Sequence, residues 1–237
     1  MKIEIWSDVV CPFCYIGKRR LEEAMTQFGH KEEIQIHFRS YQLTPDAEKN
    51  INQDIHEVLA NKYGMPYEEG KRMNDQMAQQ AKTVGLEFNF DQVIPTNTED
   101  AHRLSHFADQ QGKMYDMMER LMRAYFTEGK DVGNHQVLSD LAEEVGLNRD
   151  NVMEMLESSK FKRNVSADQQ DANQIGVQGV PFFVFNEKYA VSGAQPTDVF
   201  LDVLNKVYEE EKNQPKIQVL NDKQSKTEYC DDGSCGT

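Results

Sequence analysis

Apolar positions recur with three successive periods along this chain of 237 residues. Ile3-Glu4-Ile5-Trp6 has the pattern of a short strand and runs directly into a helical stretch. There Leu21, Ala24, Met25 and Phe28 share one stripe, and Gly29 can close the helix. Ile34-Gln35-Ile36-His37-Phe38 then alternates, which puts Ile34, Ile36 and Phe38 on one face of a second strand ended by Gln42-Leu43-Thr44-Pro45. Strand, helix and strand at this spacing predict a right-handed crossover and a parallel pair.

From about residue 50 to 175 the spacing turns helical, without an internal repeat. Met73, Met77 and Ala81 step by four, and Ala101, Leu104 and Ala108 by three and four behind the capping candidates Asn97 and Thr98. Met114, Met117, Met118, Leu121, Met122, Tyr125 and Phe126 form a wide apolar face. Asn134 can cap the next helix, whose stripe runs from Val137 to Val145 and stops at Gly146. A further helix or two covers 148–175. Nine of the eleven methionines lie between 65 and 155. A methionine-rich surface can adapt to varied clients, but methionine also fills helical cores, and the 114–126 stripe fits the core use.

Strand character returns at Pro181-Phe182-Phe183-Val184-Phe185 and Lys188-Tyr189-Ala190-Val191, with Asn186 and Glu187 between them as a tight hairpin turn. Pro196 can start a last helix lined by Val199, Phe200, Val203, Leu204, Val207 and Tyr208. The remainder, from Asn213, is polar and aperiodic and reads as a flexible tail. The order is therefore βαβ, a helical block, then ββα. The two outer parts can share one sheet, which makes this an α/β fold with a large all-helical insertion. The expected organisation is a discontinuous domain of residues 1–48 and 176–212, a helical insertion domain of 49–175, and a C-terminal tail of 213–237.

Charge narrows the partners. The net charge of −14 repels nucleic acid and anionic membrane surfaces, and no basic cluster offsets it. Hydrophobic residues make up 38% and charged residues 28%, a polar but globular balance. The N-terminus lacks the charged and apolar regions of a signal peptide, and no apolar run approaches the ~20 residues of a membrane helix. A cytoplasmic location is expected. Four cysteines in that setting point to catalysis, redox sensing or metal binding more than to structural staples.

The chemistry centres on Cys11-Pro12-Phe13-Cys14, between the first strand and the first helix. Positions i and i+3 share a helix face, so the two sulfurs can join. Proline suits the first helical position, and a Cys11 at the helix N-terminus has its thiolate favoured by unpaired N–H groups and the dipole. Half of a zinc site and an inert buried pair are the alternatives, while the strand-to-helix placement with proline favours a redox dithiol. Cys11 is the nucleophile candidate and Cys14, a turn inside, the resolving thiol. They would attack a substrate disulfide and release it through a mixed disulfide.

Ser7-Asp8-Val9-Val10-Cys11-Pro12-Phe13-Cys14-Tyr15-Ile16-Gly17, Asn97-Thr98 with Ala101-His102-Arg103-Leu104, Gly176-Val177-Gln178-Gly179-Val180-Pro181-Phe182-Phe183-Val184 and Val191-Ser192-Gly193-Ala194-Gln195 together resemble the DsbA family. These are thioredoxin-fold dithiol–disulfide oxidoreductases, and the closest likeness is to the FrnE type without signal peptides. The likeness runs from the first strand to about residue 211. It implies a thioredoxin fold, a cis peptide before Pro181 with that loop against Cys11, protein or low-molecular-weight disulfide and dithiol substrates, and no cofactor or metal. Val180, Pro12 and Phe13 would then face substrate, Val180 by strand addition. Otherwise Pro181 only sets the start of a strand. Phe13 departs from the Pro-His dipeptide of the archetypal periplasmic member. A histidine there can sit beside the thiolate and phenylalanine cannot, so a less depressed Cys11 pKa and a weaker oxidant are expected.

Other candidates carry two readings each. Asp8 can handle protons for Cys14 or simply end the strand as a turn residue. His102 resembles a family position, yet a helix-surface histidine is commonly structural or solvated. Cys230 and Cys235 flank Asp231-Asp232-Gly233-Ser234, a loop small enough to close as a disulfide and relay electrons to the first pair. FrnE-type relatives can carry such a pair. The alternatives are a four-thiolate zinc site shared with Cys11 and Cys14, or two idle thiols. Two rival functions follow: a glutathione-dependent kappa-type transferase or isomerase, whose fold is the same but which uses serine where Cys11 stands, and a zinc-stabilised binding or holdase protein.

Overall fold

Ile3 to Ser7 are all buried in the first strand, β1 (Lys2–Ser7), which is what a central strand requires. The computed structural model describes residues 1–49 and 53–213, together with the backbone of two short strands, 229–231 and 234–236. β2 (Gln35–Ser40) runs parallel to β1, with Lys2 opposite Gln35 and Ser7 opposite Ser40. On the other edge, β3 (Phe182–Phe185) runs antiparallel to β1 and pairs with β4 (Tyr189–Ser192), giving the order β2-β1-β3-β4. The β3–β4 turn takes in Lys188 as well. Asn186 and Glu187 both have left-handed backbones (φ 48° and 56°), and the Lys188 N–H closes the turn on the Phe185 carbonyl.

Helix α1 (Pro12–Phe28) starts on proline and ends at Gly29 with φ 79°, and its buried side includes Leu21, Ala24, Met25 and Phe28. Gly17 brings it down onto the sheet: a Cβ there would stand 3.1 Å from Pro181 Cγ and 3.2 Å from Phe183 Cζ. Between β2 and β3 lie α2 (Ile55–Tyr63), α3 (Tyr67–Lys82), α4 (Glu99–Asp109), α5 (Met114–Phe126), α6 (His135–Glu144), α7 (Arg149–Glu157) and α8 (Lys162–Gln174). After β4 comes α9 (Thr197–Asn213), packed against α1.

Asn134 caps α6 by accepting from the Gln136 and Val137 N–H groups. At α4 the work passes to one residue earlier than the N-cap. Thr98 makes no side-chain cap bond, whereas Asn97 Oδ1 accepts from Glu99 N–H at 2.8 Å and its amide reaches the Pro45 and Ala47 carbonyls at 2.9 Å. Asn97 thus ties the start of α4 to the loop after β2.

Met114, Met117, Met118 and Met122 are buried, so this methionine stripe is core, whereas Met73 is exposed. One continuous apolar cluster joins Ile3, Ile5 and Leu21 of the strand–helix unit to Met117, Leu138 and Val152 of the inserted helices. Trp6 points to a smaller cluster with Ala172 and Val177, its Nε1 donating to the Asp168 carbonyl of α8 at 2.9 Å. Near the C-terminus, β5 (Tyr229–Asp231) and β6 (Ser234–Gly236) pair antiparallel with Cys230 opposite Cys235. The expected flexible tail otherwise falls on 214–228, 232–233 and 237, outside the described residues. Among the described residues no helix is long and apolar enough to cross a membrane.

Candidate active site

The strand-to-helix turn places the two cysteines at and just inside one helix start. Cys11 is the N-cap of α1, with extended backbone (φ −90°, ψ 113°), and its carbonyl accepts the N–H of Cys14 at 3.0 Å and of Tyr15 at 3.4 Å. Its own N–H is held by the Asp8 carbonyl at 3.1 Å, which closes the turn. No acidic residue occupies the first turn, so the Cys11 side chain has the positive end of the helix to itself. Both thiols are free and buried. Beside them Pro12 is half-buried and Phe13 is 42% exposed, at the rim.

The facing wall is the loop before β3. The Val180–Pro181 peptide is cis, and the Cys11 thiol donates to the Val180 carbonyl at 3.7 Å. Gly193 N–H holds the Pro181 carbonyl at 2.8 Å, and the missing side chain of Gly17 lets α1 lie against the proline ring. Cys11, Cys14, Val180 and Pro181, drawn from two ends of the sequence, therefore meet.

Cys14 is electrostatically unlike an ordinary thiol. Burial, and after it the neighbouring Cys11 sulfur, push it well above the usual thiol range, while the Ser7 hydroxyl and the Asp8 N–H pull the other way. It therefore holds its proton at neutral pH.

Asp8 and His102 come together as well. Both are 1% exposed, and His102 Nε2 on α4 lies 3.3 Å from Asp8 Oδ1. Asp8 Oδ2 accepts the Leu43 N–H at 2.8 Å. Asp8 is thus both the turn residue of the strand end, through its carbonyl, and a buried carboxylate. His102 is an interior residue rather than a solvated one.

Several contributors had no signal in local pattern. Lys18, one turn past Cys14, is 2% exposed and held by Glu22 and by Glu119 of α5, each at 2.6 Å; Tyr15 OH donates to Glu119 at 2.6 Å. Arg103 of α4 pairs with Asp100 at 2.5 Å and donates to the carbonyls of Met155, Leu156, Ser158 and Lys160. The family-like Asn97–Leu104 stretch therefore braces the insertion besides supplying His102. The side chains of Cys230 and Cys235 lie outside the described residues. Three potential metal-ligand atoms cluster, among the described residues, only at half-buried His30 and exposed Glu32 and Glu33, with no cysteine among them.

A family model described as a DSBA-like thioredoxin domain matches residues 2–205. The crystal structure of a probable DsbA oxidoreductase from Streptomyces coelicolor is similar with a TM-score of 0.87 and 32% identity, over 100% of this chain and 99% of that one. A cytosolic disulfide reductase, DsbM from Pseudomonas aeruginosa, solved with GSH, shares the fold at a TM-score of 0.60 and 16% identity, over 90% and 98% of the two chains. In Bacillus subtilis, the uncharacterised protein YwbO is 27% identical over 200 residues, which is 84% of this chain and 92% of that protein.

Proposed function

The chain belongs to the DSBA-like thioredoxin domain family, and on that footing we propose that it is a thiol–disulfide oxidoreductase exchanging disulfides with protein or small-thiol substrates through Cys11 and Cys14. The observation that carries this is the Cys11 thiol at a helix start, 3.7 Å from the Val180 carbonyl, with cis Pro181 next in the chain. In the reducing direction the Cys11 thiolate attacks a substrate disulfide. One substrate sulfur leaves and takes a proton, and a mixed disulfide remains on Cys11. Cys14 then gives up its proton and attacks Cys11, and the second substrate sulfur leaves as a thiol. The oxidising direction is the reverse.

β3 begins only at Phe182, so Val180 extends past the paired strand and offers main chain to an extended substrate. Pro12 and Phe13 form the opposite rim. The reading includes Cys230 and Cys235 as a second redox pair passing electrons to the first, supported by their opposed register in the β5–β6 hairpin. It also includes a cytosolic setting, as in the Pseudomonas aeruginosa reductase.

Insulin reduction and a glutathione redox titration with thiol counting test the proposal together. The expected result is turnover that depends on Cys11, and one two-electron couple for Cys11–Cys14. A chain whose Cys11 and Cys14 stay reduced at every glutathione ratio, without turnover, overturns it. The same titration on a Cys230→Ser/Cys235→Ser variant decides the relay, which predicts altered kinetics.

A further inference from the structure

The turn that delivers the nucleophile, Asp8-Val9-Val10-Cys11, is closed by one main-chain bond, the Cys11 N–H donating to the Asp8 carbonyl at 3.1 Å. Its two central residues are valines, whereas glycine, proline, asparagine, aspartate and serine are the residues that shape turns on their own. An aspartate at a turn commonly folds its carboxylate back onto the main chain two residues on. The Asp8 carboxylate is turned outward instead. Its Oδ2 accepts the Leu43 N–H at 2.8 Å and its Oδ1 faces His102 Nε2 at 3.3 Å, with the Asp8 and His102 side chains each 1% exposed. Leu43 lies in the loop after β2 and His102 on α4, and Asn97 ties these two elements together by donating to the Pro45 and Ala47 carbonyls. The shape of the Cys11 turn is therefore set from outside it.

We propose that His102 is a positioning residue for Cys11, acting through Asp8. This rests on the thiol–disulfide reading above and assigns what holds its attacking sulfur in place. A carboxylate oxygen can only accept, so His102 Nε2 is the donor, and with the Leu43 N–H it occupies one site on each oxygen of Asp8. A carboxylate held on both oxygens cannot rotate, which fixes the Asp8 carbonyl, and that carbonyl fixes the Cys11 N–H. Cys11 is thereby kept in the extended N-cap conformation from which its thiol meets the Val180 carbonyl at 3.7 Å. The partners of the two Asp8 oxygens come from α4 and from the loop after β2, not from the dithiol. The carboxylate serves as an anchor rather than as the base that takes the Cys14 proton.

The test uses the full chain with Cys14→Ser, Cys230→Ser and Cys235→Ser, so that Cys11 is the sole thiol. Its mixed disulfide with added glutathione disulfide is timed by mass spectrometry on quenched samples. His102→Leu fills the space without a donor and is expected to slow attack at least about tenfold, since a displacement of about 1 Å can cost about 10²-fold. His102→Gln puts an amide N–H where Nε2 stands and is expected to restore the rate, which a merely space-filling ring would not predict. Amide hydrogen exchange of the reduced chains reads the anchor directly: the Cys11 N–H should exchange faster in His102→Leu than in the parent or in His102→Gln, with β1 unchanged. In chains retaining Cys14, Asp8→Asn should slow attack, and the resolving step no more than attack. An unchanged attack rate in folded His102→Leu, or a glutamine variant that does not recover the rate, overturns the proposal. Selective loss of the resolving step in Asp8→Asn also overturns it, by making the carboxylate a base, and this arm holds even where the leucine variant does not fold. A parent chain that forms no mixed disulfide overturns the proposed function instead, while exchange at the Cys11 amide still decides the role of His102.

Discussion

The Cys11 thiol donates to the Val180 carbonyl across 3.7 Å, although the two residues are 169 positions apart. The contact joins the two parts of the chain that flank the inserted helices, and it sets Cys11 beside the residues that lead into β3.

Cys11 caps the helix and Cys14 lies a turn inside it, so their variants should fail differently. Cys11→Ser is expected to abolish insulin reduction. Cys14→Ser should still attack and accumulate a stable mixed disulfide, seen by mass spectrometry after exposure to glutathione disulfide. Because burial holds the Cys14 thiol far above the usual range, the Cys11→Ser variant should alkylate slowly at pH 7 and faster as pH rises. Trapping on Cys14 instead of Cys11 would reverse the assignment.

Phe13 is 42% exposed, so a polar replacement there should leave the fold intact. Phe13→His puts a donor beside the Cys11 thiolate and stabilises the reduced form. The glutathione equilibrium should move at least about tenfold, about 30 mV towards a stronger oxidant. A glutathione redox titration measures this, and an unchanged or more negative potential would refute the role given to the aromatic ring.

Gly17 is a matter of space. A methyl at that position already stands 3.1 Å from Pro181 and 3.2 Å from Phe183. Gly17→Val is therefore expected to cost about 1–3 kcal/mol by overpacking and to slow turnover by moving the Pro181 loop off Cys11. Urea unfolding and insulin reduction read the two effects separately.

Burial raises the Glu22 and Glu119 carboxyls, but Lys18, with Arg19 and the Tyr115 and Tyr15 hydroxyls, outweighs it and both sit below the usual carboxylate range. Their folded forms therefore hold protons less tightly than the unfolded chain. This stability is complete above the unfolded glutamate range and is lost as pH falls through the depressed folded values. Lys18→Met removes one of the two cations that both carboxylates face, leaving Arg19, at an expected cost of about 3 kcal/mol at pH 7. It should also weaken the trend, so that acidification destabilises the variant less than the wild type. Parallel pH profiles of unfolding for the two proteins would contradict this.

Local periodicity carried the strands, the helices after them and the Asn134 cap, because each depends on neighbours within a turn or two. Residues whose meaning is set by distant partners did not read that way. Lys18 and Glu22 have the spacing of an ordinary surface pair, and only Glu119, on α5, makes that corner an interior one. Asp8 has the look of a turn residue and is one, yet its carboxylate is buried because His102 and Leu43 N–H reach it from other elements. Thr98 resembles a cap by type, but Asn97 holds both the α4 start and the loop after β2.

The single apolar cluster shared by the sheet and the inserted helices has a thermodynamic consequence. Lifting the helices away would strip Met117 and Leu121 of their neighbours, so the described chain should melt in one cooperative transition rather than shedding the insertion first. Whatever free energy separates the dithiol from the disulfide form is then added to, or taken from, the stability of that whole unit. A bond between two residues three positions apart becomes a thermostat setting for the molecule, legible as a shift in its melting temperature.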